Sequence, residues 1–383
     1  MALIKPDAAS FAKIKVLGIG GGGGNVLNSM IEGNKIKGVE FIAINTDCQA
    51  LLANPASTKI QIGKDLTRGL GSGGNPEIGH QAAEESRDLI REYLVDTDMV
   101  FLAGGMGGGT FTGGAPIIAE VAKEAGALTI AVTTRPFAFE GTKRRVIAEE
   151  GIENLKDKVD TLIVIPNQKI MEIVDRKVTL LEAFKIVDGV LNQGVQGISE
   201  IITVPGLINV DFADIKAIMK DAGSSLLGIG TGVGENRAQI AAKAAIYSPL
   251  LDISIEGAKG ILFNITGGPD LTMFEVEEAA KLISESADAD ANIIFGATID
   301  EAMTDQIKIT VIATGFDEAR LRLSRMMVKT KAPMPEGIVS EIPEKKISKI
   351  DLEEEAPEVK EEELPEDEFG EEFDIPTFLR QGK

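Results

Sequence analysis

The first half of the chain, from residue 14 to about residue 166, alternates short continuous apolar runs with longer segments in which apolar residues recur every three to four positions. Continuous apolar runs are typical of strands buried on both faces of a parallel sheet. The longer spacing is typical of helices that pack on such a sheet. The alternation therefore predicts an α/β domain built on a doubly wound parallel sheet.

Two helices in this half carry clear end signals. Residues 75–94 predict one helix, with Asn75 as its N-cap and Pro76 at its first position. Residues 116–126 predict a second helix that ends at Gly126, since glycine is common where helices stop.

The second half predicts a different architecture. A long helical stretch runs from about Thr179 to Ile202, and another helix begins near Asp211. Four apolar runs then alternate with two helical segments, which predicts an α+β domain that the long helix joins to the first domain. The predicted segments are a flexible N-terminus at 1–12, the first domain at 13–178, the central helix at 179–203, the second domain at 204–328, a disordered acidic linker at 329–372 and a terminal peptide at 373–383.

The net charge of −21 is concentrated near the end of the chain. Positions 341–374 hold 16 acidic and 4 basic residues, a net charge of −12, and such a segment repels itself and buries too little apolar surface to fold. Apolar residues stand at its end, at Phe373, Ile375, Phe378 and Leu379. They predict a tethered peptide that binds a groove on a partner protein, with a purely solubilising tail as the alternative.

Composition and charge indicate the cellular compartment of the protein and the classes of partner it can bind. A single cysteine, Cys48, leaves no intrachain disulfide and fits a reducing cytoplasm. The N-terminus lacks a signal-peptide pattern, and the apolar runs are far shorter than the roughly 20 residues that cross a bilayer. The acidic charge argues against a nucleic-acid partner. We expect a cytoplasmic protein.

Three glycine-rich segments, at 18–25, 69–76 and 104–110, punctuate the first domain, and each opens a predicted helix. Glycine lets backbone N–H groups approach an anion closely, and a helix start adds free donors and a favourable dipole. Tight turns alone would explain any one of the three. Together they predict a polyphosphate held from several sides.

Two other nucleotide folds compete with this interpretation. Residues 18–23 match the dinucleotide fingerprint G-x-G-x-x-G, and Asp47 follows the second strand, where a ribose-binding acid would stand. A dinucleotide needs one glycine loop rather than three, and the lone histidine, His80, lies in a polar helix with no sign of a catalytic role. A P-loop NTPase is excluded because no G-x-x-x-x-G-K-[ST] motif occurs.

At this point the sequence resembles a known family. The segment "GGMGGGTFTGGAP" at 104–116 is similar to the tubulin signature, and "GGGGGN", "NTDCQAL", "TRGLGSGGNPEIG", "PFAFEG", "PGLINVDFADI" and "DIPTFLR" resemble the tubulin/FtsZ GTPase family. The likeness covers about residues 12–316 and the last dozen residues. The terminal peptide, which tubulins proper lack, points to the bacterial cell-division members of the family.

The resemblance implies a GTP/GDP site with Mg²⁺, in a GTP-binding domain at 13–178, followed by an activation domain at 204–328. The residues implied to hold the phosphates are Gly21, Gly22, Gly23, Gly24 and Asn25, then Gly71, Gly73 and Gly74 beside the terminal phosphate, and Gly107, Gly108, Gly109 and Thr110 at a helix start. Those implied for the ribose and base are Glu140 and Arg144, with Asn167 and Asp188 reading guanine and Phe184 against its ring.

The segment 209–214 has two interpretations. By itself it predicts an ordinary helix start, with Asp211 as N-cap and Asp214 in the first turn. The resemblance implies that Asn209, Asp211 and Asp214 enter the nucleotide site of the next subunit, polarise the attacking water and help place a cation. Hydrolysis would then depend on head-to-tail assembly, a contact that gives filaments.

Phe111 departs from the family pattern, which has glycine at this position. Its ring could point away from the phosphates, toward solvent or the neighbouring subunit; it could crowd the site; or it could be an engineered change or a sequencing oddity. We expect GTP to bind, because the amide donors are unchanged, and turnover or filament geometry to be altered. Gln168, where the family usually has aspartate, is expected to touch base recognition only indirectly.

The sequence thus predicts a cytoplasmic, assembly-dependent GTPase that polymerises into protofilaments and forms the mid-cell division ring. Membrane contact would be indirect, through FtsA-, ZipA- or SepF-like adaptors that bind the terminal peptide. The alternative is a nucleotide-binding filament protein whose hydrolysis is impaired by Phe111.

Overall fold

A computed structural model describes residues 12–316, except positions 34, 35, 37, 175, 176, 205, 209 and 249–254. The chain divides into two compact units, residues 1–331 and 332–383, and every described residue belongs to the first. The predictions for residues 1–11, the acidic linker, the terminal peptide and Asn209 therefore fall outside the described residues. The predicted domain limits remain predictions.

Six parallel strands form the sheet of the first domain, in the order β3-β2-β1-β4-β5-β6. This order confirms the predicted doubly wound sheet, because the chain winds outward in both directions from β1. The strands are β1 (Ile14–Ile19), β2 (Val39–Asn45), β3 (Thr58–Gln61), β4 (Met99–Gly105), β5 (Leu128–Arg135) and β6 (Thr161–Pro166).

Helices cover both faces of this sheet, and an apolar core fills each face. One face packs against α1, α9 and α10, and the other against α4, α5, α6 and α7. The helices of this domain are α1 (Gly20–Glu32), α2 (Cys48–Ala53), α3 (Lys64–Thr67), α4 (Pro76–Glu85), α5 (Arg87–Leu94), α6 (Thr110–Glu124), α7 (Thr142–Lys156) and α8 (Asn167–Ile173), with a 3-10 helix at Ala138–Glu140.

The long central helix α9 (Leu180–Thr203) lies where the sequence predicts it. Thr179 and Glu182 form a capping box at its start. Val195 and Ile198 are fully buried in the core that α9 shares with the sheet. A short helix, α10 (Phe212–Met219), follows, and its predicted start at Asp211 is confirmed.

The second domain is a mixed four-stranded sheet in the order β7-β10-β8-β9. Strand β10 is antiparallel to both of its neighbours, and β8 is parallel to β9. Because β7 also pairs with β6, all ten strands form one sheet. The elements are β7 (Gly223–Val233), α11 (Arg237–Ile246), β8 (Gly260–Gly267), α12 (Met273–Glu285), β9 (Asn292–Ile299) and β10 (Gln306–Thr314).

Two predicted helices have different limits in the structure. The predicted helix 75–94 is divided at Ser86 into α4 and α5; Ser86 has φ −103° and ψ 11°, outside the helical range, and its hydroxyl accepts a hydrogen bond from Gly63 N at 3.1 Å. Helix α6 begins at Thr110, six residues before the predicted helix, and ends just before Gly126, whose φ is +86°. None of the helices in the described part of the chain is long and apolar enough to cross a membrane.

Candidate nucleotide-binding site

A cleft opens at the carboxyl ends of the parallel strands, where ligands bind in doubly wound folds. Its larger part is a cavity of about 670 Å³, lined by the segments that follow β1, β2 and β4 and by the loop 70–74. A second cavity of about 240 Å³ adjoins it, since both share Gly22, Gly105, Glu140 and Arg144. The second cavity leads to Asn167, Phe184 and Asp188.

Two helices begin in the larger cavity without a side-chain cap. Helix α1 has Ile19 as its N-cap residue and α6 has Gly109, and neither side chain accepts a hydrogen bond from the first turn. Their first N–H groups therefore lack side-chain partners, and they lie where an anion would be stabilised by both helix dipoles. The first glycine segment is itself the opening turns of α1, rather than a loop that precedes it.

A cluster of three hydroxyl groups ties the segments of this cavity together. The Thr110 hydroxyl lies 2.8 Å from that of Thr46 and 3.0 Å from that of Ser72, within hydrogen-bond distance of both. All three side chains are buried. Sequence reasoning missed Thr46 and Ser72; their only signal was a polar residue directly after a strand and inside a glycine segment.

The smaller cavity presents polar groups suited to a purine edge. Asn167 is 4% exposed, and its Oδ1 has no hydrogen-bond partner in the described structure. Burial raises the pKa of the Asp188 carboxyl to about 6. As a carboxylate, Asp188 can accept from both N1–H and N2–H of guanine, a pair of donors that adenine lacks. The Phe184 ring lines the same cavity and packs edge-on against Phe137, with ring centroids 5.4 Å apart.

Glu140 and Arg144 lie where the two cavities meet. Their side chains form an ion pair at 3.1 Å, and Glu140 Oε1 also accepts a hydrogen bond from Phe137 N at 2.8 Å. Gln168 Oε1 accepts from Ala138 N at 3.2 Å, so this side chain supports the same 3-10 helix and does not line either cavity. Helix α7, which carries Arg144 and also brings Lys143 and Ile147 to the cleft, was not predicted.

Most of the residues implied by the resemblance come together in the cleft. Gly23 and Gly24 do not line it: Gly23 lies against the β4 backbone, where a Cβ would overlap Ala103 O, and Gly24 lies beside Asn54. The residues that line the two cavities are Gly21, Gly22, Asn25, Gly71, Gly73, Gly74, Gly107, Gly108, Gly109, Thr110, Glu140, Arg144, Asn167, Phe184 and Asp188.

Asp211 and Asp214 line neither cavity of their own chain. Both are exposed at the start of α10, where Asp214 N donates to Asp211 Oδ1 at 2.8 Å and Asp211 N donates to Asp214 Oδ2 at 3.3 Å. This capping box holds the two carboxylates on a fixed helix start.

The Phe111 ring does not point toward solvent. It is 3% exposed and belongs to the core beneath α6, where it packs over Gly104. Its φ is not in the left-handed region, so the larger side chain brings no backbone strain. A Cβ on Gly104 would overlap the ring, so the two residues are matched in size.

Asp47 fills a structural role. Its carboxylate caps α2 by accepting from Gln49 N at 2.9 Å and Ala50 N at 3.1 Å, although it also lines the cleft. Both bonds end on Oδ1, so the position of Asp47 after the second strand is explained by its role as the cap of α2, without a dinucleotide ribose. The described residues contain no group of three or more His, Cys, Asp or Glu side chains that could hold a metal ion.

Comparison with known proteins agrees with this geometry. Residues 13–175 match the model of the tubulin/FtsZ family GTPase domain, and residues 223–317 match that of the FtsZ family C-terminal domain. An FtsZ dimer from M. jannaschii is 48% identical, with a TM-score of 0.77, and the match covers 80% of this chain and 89% of that one.

Two more distant structures share the fold. CetZ2 from Haloferax volcanii, solved as a GTPγS-bound protofilament, is 19% identical with a TM-score of 0.68 over 83% of this chain and 99% of that one. CetZ1 from the same organism, a GDP-bound monomer, is 21% identical with a TM-score of 0.69 over the same shares. The two family matches, the 48% identity and the cleft of glycine-rich helix starts place this chain in the FtsZ family of tubulin-like GTPases.

Proposed function

We propose that the protein binds GTP in the cleft, assembles head to tail into filaments and hydrolyses GTP at the contact between two subunits. The observation that carries the proposal is a site in two separate parts. The cleft offers amide donors, hydroxyls and a guanine-reading pair, whereas the carboxylates of Asp211 and Asp214 line neither cavity. A second subunit is the natural source of the missing carboxylates.

The cleft supports the nucleotide part of the proposal. The uncapped starts of α1 and α6 would bind phosphate oxygens through backbone N–H groups. The unpartnered Asn167 Oδ1 and the Asp188 carboxylate would bind the guanine edge. Magnesium, when bound, would neutralise phosphate charge and be held chiefly by phosphate oxygens and water, since Mg²⁺ keeps several waters in such sites.

Exposed apolar residues support assembly. Leu70, which is 84% exposed, lines the larger cavity, and Leu52, which is 72% exposed, lies in α2, two residues after the cavity-lining Ala50. Leu207, which is 71% exposed, lies in the segment before Asp211, and Met273 is 86% exposed at the start of α12. Large apolar side chains in water at both places are consistent with surfaces that another copy covers.

In the assembled site, Asp211 and Asp214 would orient and polarise the water that attacks the terminal phosphate. Asn209, outside the described residues, would join them. Phe111 lines the larger cavity, but its ring is buried over Gly104 and the substitution removes no backbone N–H group of α6, which supports an active enzyme over a filament with impaired hydrolysis. Cell division at a mid-cell ring, with adaptors bound to the terminal peptide, is the cellular role we propose.

The test is GTP turnover per protomer across a series of protein concentrations, with pelleting of polymer in parallel. We expect turnover only above a threshold concentration, together with pelletable polymer. Turnover independent of concentration would contradict a shared site, and polymer without turnover would restore the impaired-hydrolysis alternative.

Mixing two inactive variants sharpens the test. Asp211→Asn removes the carboxylate but keeps the helix cap, since Asn caps as well as Asp. Asp188→Ala impairs guanine binding and leaves α10 intact. In a random copolymer at equal ratio, about a quarter of the contacts join an intact cleft to an intact Asp211, so we expect turnover to rise toward that fraction of wild type. Each variant alone should stay inactive, and a mixture that also stays inactive would contradict the shared site.

A further inference from the structure

Two helices that begin at the two parts of the proposed site end close together. Helix α6 begins at Thr110 in the cleft and α10 begins after Asp211. The 15 residues of α6 carry its far end about 22 Å from the cleft. Lys123, in the last turn of α6, lies next to Asp221, two residues beyond the end of α10.

An ion cluster joins these two ends. Lys123 Nζ lies 3.1 Å from Asp160 Oδ1 and 3.3 Å from Asp221 Oδ1. The Asp160 side chain is 5% exposed, and its Oδ2 accepts a hydrogen bond from Thr129 N at 2.8 Å. Asp160 is therefore fixed to the sheet, whereas Asp221 is at the surface, with a side chain 67% exposed.

The start of β6 also holds the end of α10 directly. Met219 O, in the last turn of α10, accepts a hydrogen bond from the Thr161 hydroxyl at 2.5 Å. Asp160 O accepts from Gly223 N at 2.9 Å, just after Asp221. Consecutive residues, Asp160 and Thr161, thus hold α6 through Lys123, and the end of α10 through Met219 O and the N–H of Gly223.

We propose that Lys123, Asp160 and Asp221, here called the junction, are positioning residues that couple the start of α6 to the placement of Asp211. Because β6 holds the end of α10 through Met219 O and Gly223 N, a shift of Lys123 would act through Asp221 to tilt α10 about this fixed end, and such a tilt displaces Asp211 at the opposite end of the helix. The state of a subunit's own cleft would in this way set how well its α10 serves the neighbouring cleft. The inference rests on the proposed function.

Asp221→Asn tests the junction with little disturbance. The φ of Asp221 is +52°, and Asn tolerates this region about as well as Asp, so the variant removes charge without adding backbone strain. Asp96→Asn is the matched control: Asp96 also has positive φ, at +60°, and pairs through an exposed carboxylate with Lys13, far from α10.

Two measured quantities, GTP affinity below the assembly threshold and turnover per polymerised protomer, distinguish a positioning role from a general loss of stability. We expect Asp221→Asn to leave GTP affinity unchanged below the assembly threshold and to lower turnover per polymerised protomer by about 2- to 30-fold, the range of measured coupling effects. Asp96→Asn should match wild type in both. Lys123→Met, which also leaves Asp160 without its cation, should lower turnover at least as far.

Several outcomes overturn the inference. Asp221→Asn and Asp96→Asn with equal turnover would show that the junction does not position α10. Lower affinity for GTP below the threshold would show a local effect on the cleft instead. If wild type itself shows no concentration-dependent turnover, the proposed function has failed; if it does and the two variants agree, only the junction has failed.

Discussion

The starts of α6 and α10 are built in opposite ways. Helix α6 opens with glycines and no side-chain cap, so its first N–H groups are free for a ligand. Helix α10 opens with a full capping box, so the N–H groups of Asp211 and Asp214 are already engaged by carboxylates. The first arrangement suits an anion, and the second presents two carboxylates on a rigid support. The contrast suggests which half of the site each helix supplies.

The largest expected effect is on the free energy of unfolding, and it concerns Phe111 in the first turn of α6. Phe111→Ala should lower the free energy of unfolding by about 3 kcal/mol, because it removes a buried ring that packs over Gly104. Urea unfolding measures the change. Phe274→Ala, at a side chain 83% exposed, is the control and should change it by less than about 0.5 kcal/mol.

A double-mutant cycle tests whether the stabilisation comes from the contact between Phe111 and Gly104. Gly104→Ala should destabilise the wild type, since its Cβ overlaps the Phe111 ring, and should be close to neutral in Phe111→Ala. We expect a coupling energy of about 1 kcal/mol or more. Additive effects would show that the two residues are not matched in size.

Next in size is the effect of a side chain in the glycine segment that leads to α6. Gly107 has φ +92°, and a Cβ there would lie 2.7 Å from Arg144 O. Gly107→Ala should weaken GTP binding by about 10- to 100-fold through strain and displacement of the segment. Gly234→Ala, at φ +75° with open space around it in the second domain, should leave affinity unchanged. Titration with a fluorescent guanine nucleotide distinguishes the two.

The guanine end should show a pH dependence. Burial raises the pKa of Asp188 to about 6, so the carboxylate that binds guanine is mostly protonated at pH 5. Affinity for GTP should fall about tenfold from pH 7 to pH 5, and Asp188→Asn should bind weakly at both values. Because the folded pKa lies above the unfolded one, the same group destabilises the empty protein above pH 6, and this penalty disappears as the pH falls toward 4. Equal affinity at both pH values would contradict the assignment of Asp188 to the base.

The smallest effect tests the capped helix. Asp211→Ala should lower the free energy of unfolding by about 1 kcal/mol, whereas Asp211→Asn should leave it nearly unchanged. Thr272→Ala, which removes the cap of the equivalent box on α12, should match Asp211→Ala. Thermal unfolding measures all three. Equal losses for the two Asp211 variants would mean that charge, not capping, stabilises α10.

Much of the fold could be predicted from local patterns in the sequence. Continuous apolar runs predicted the strands, and two of the three glycine segments predicted helices that begin in the cleft, α1 and α6, because both signals are properties of neighbouring residues. The helix after the third segment, α4, is capped by Asn75, and its first residues line a different cavity. Contacts between residues that are distant in the sequence could not be predicted. The Ser86 hydroxyl accepts a hydrogen bond from Gly63, which lies 23 residues away, and the Phe111 ring packs over Gly104.

The site residues that belong to recognisable sequence motifs could be predicted. Asn167 and Asp188 were named through the resemblance, and the structure places both in one cavity. The hydroxyl cluster of Thr46, Ser72 and Thr110 was not predicted as a unit, because it forms only when three separate segments meet. The junction could not be predicted from the sequence either, because Lys123 and Asp221 are 98 positions apart.

The strand β7 has a consequence for biosynthesis. Residues Gly223 to Ser225 pair with β6, and from Leu226 onward the strand pairs with β10. As the chain leaves the ribosome, β6 emerges with one row of backbone N–H and C=O groups unpaired, and such an edge invites intermolecular pairing. The arrival of β7 covers the first three residues of that edge and at the same time provides the strand with which β10 pairs. One strand thus shortens the exposed edge of the nascent first domain and joins it to the sheet of the second.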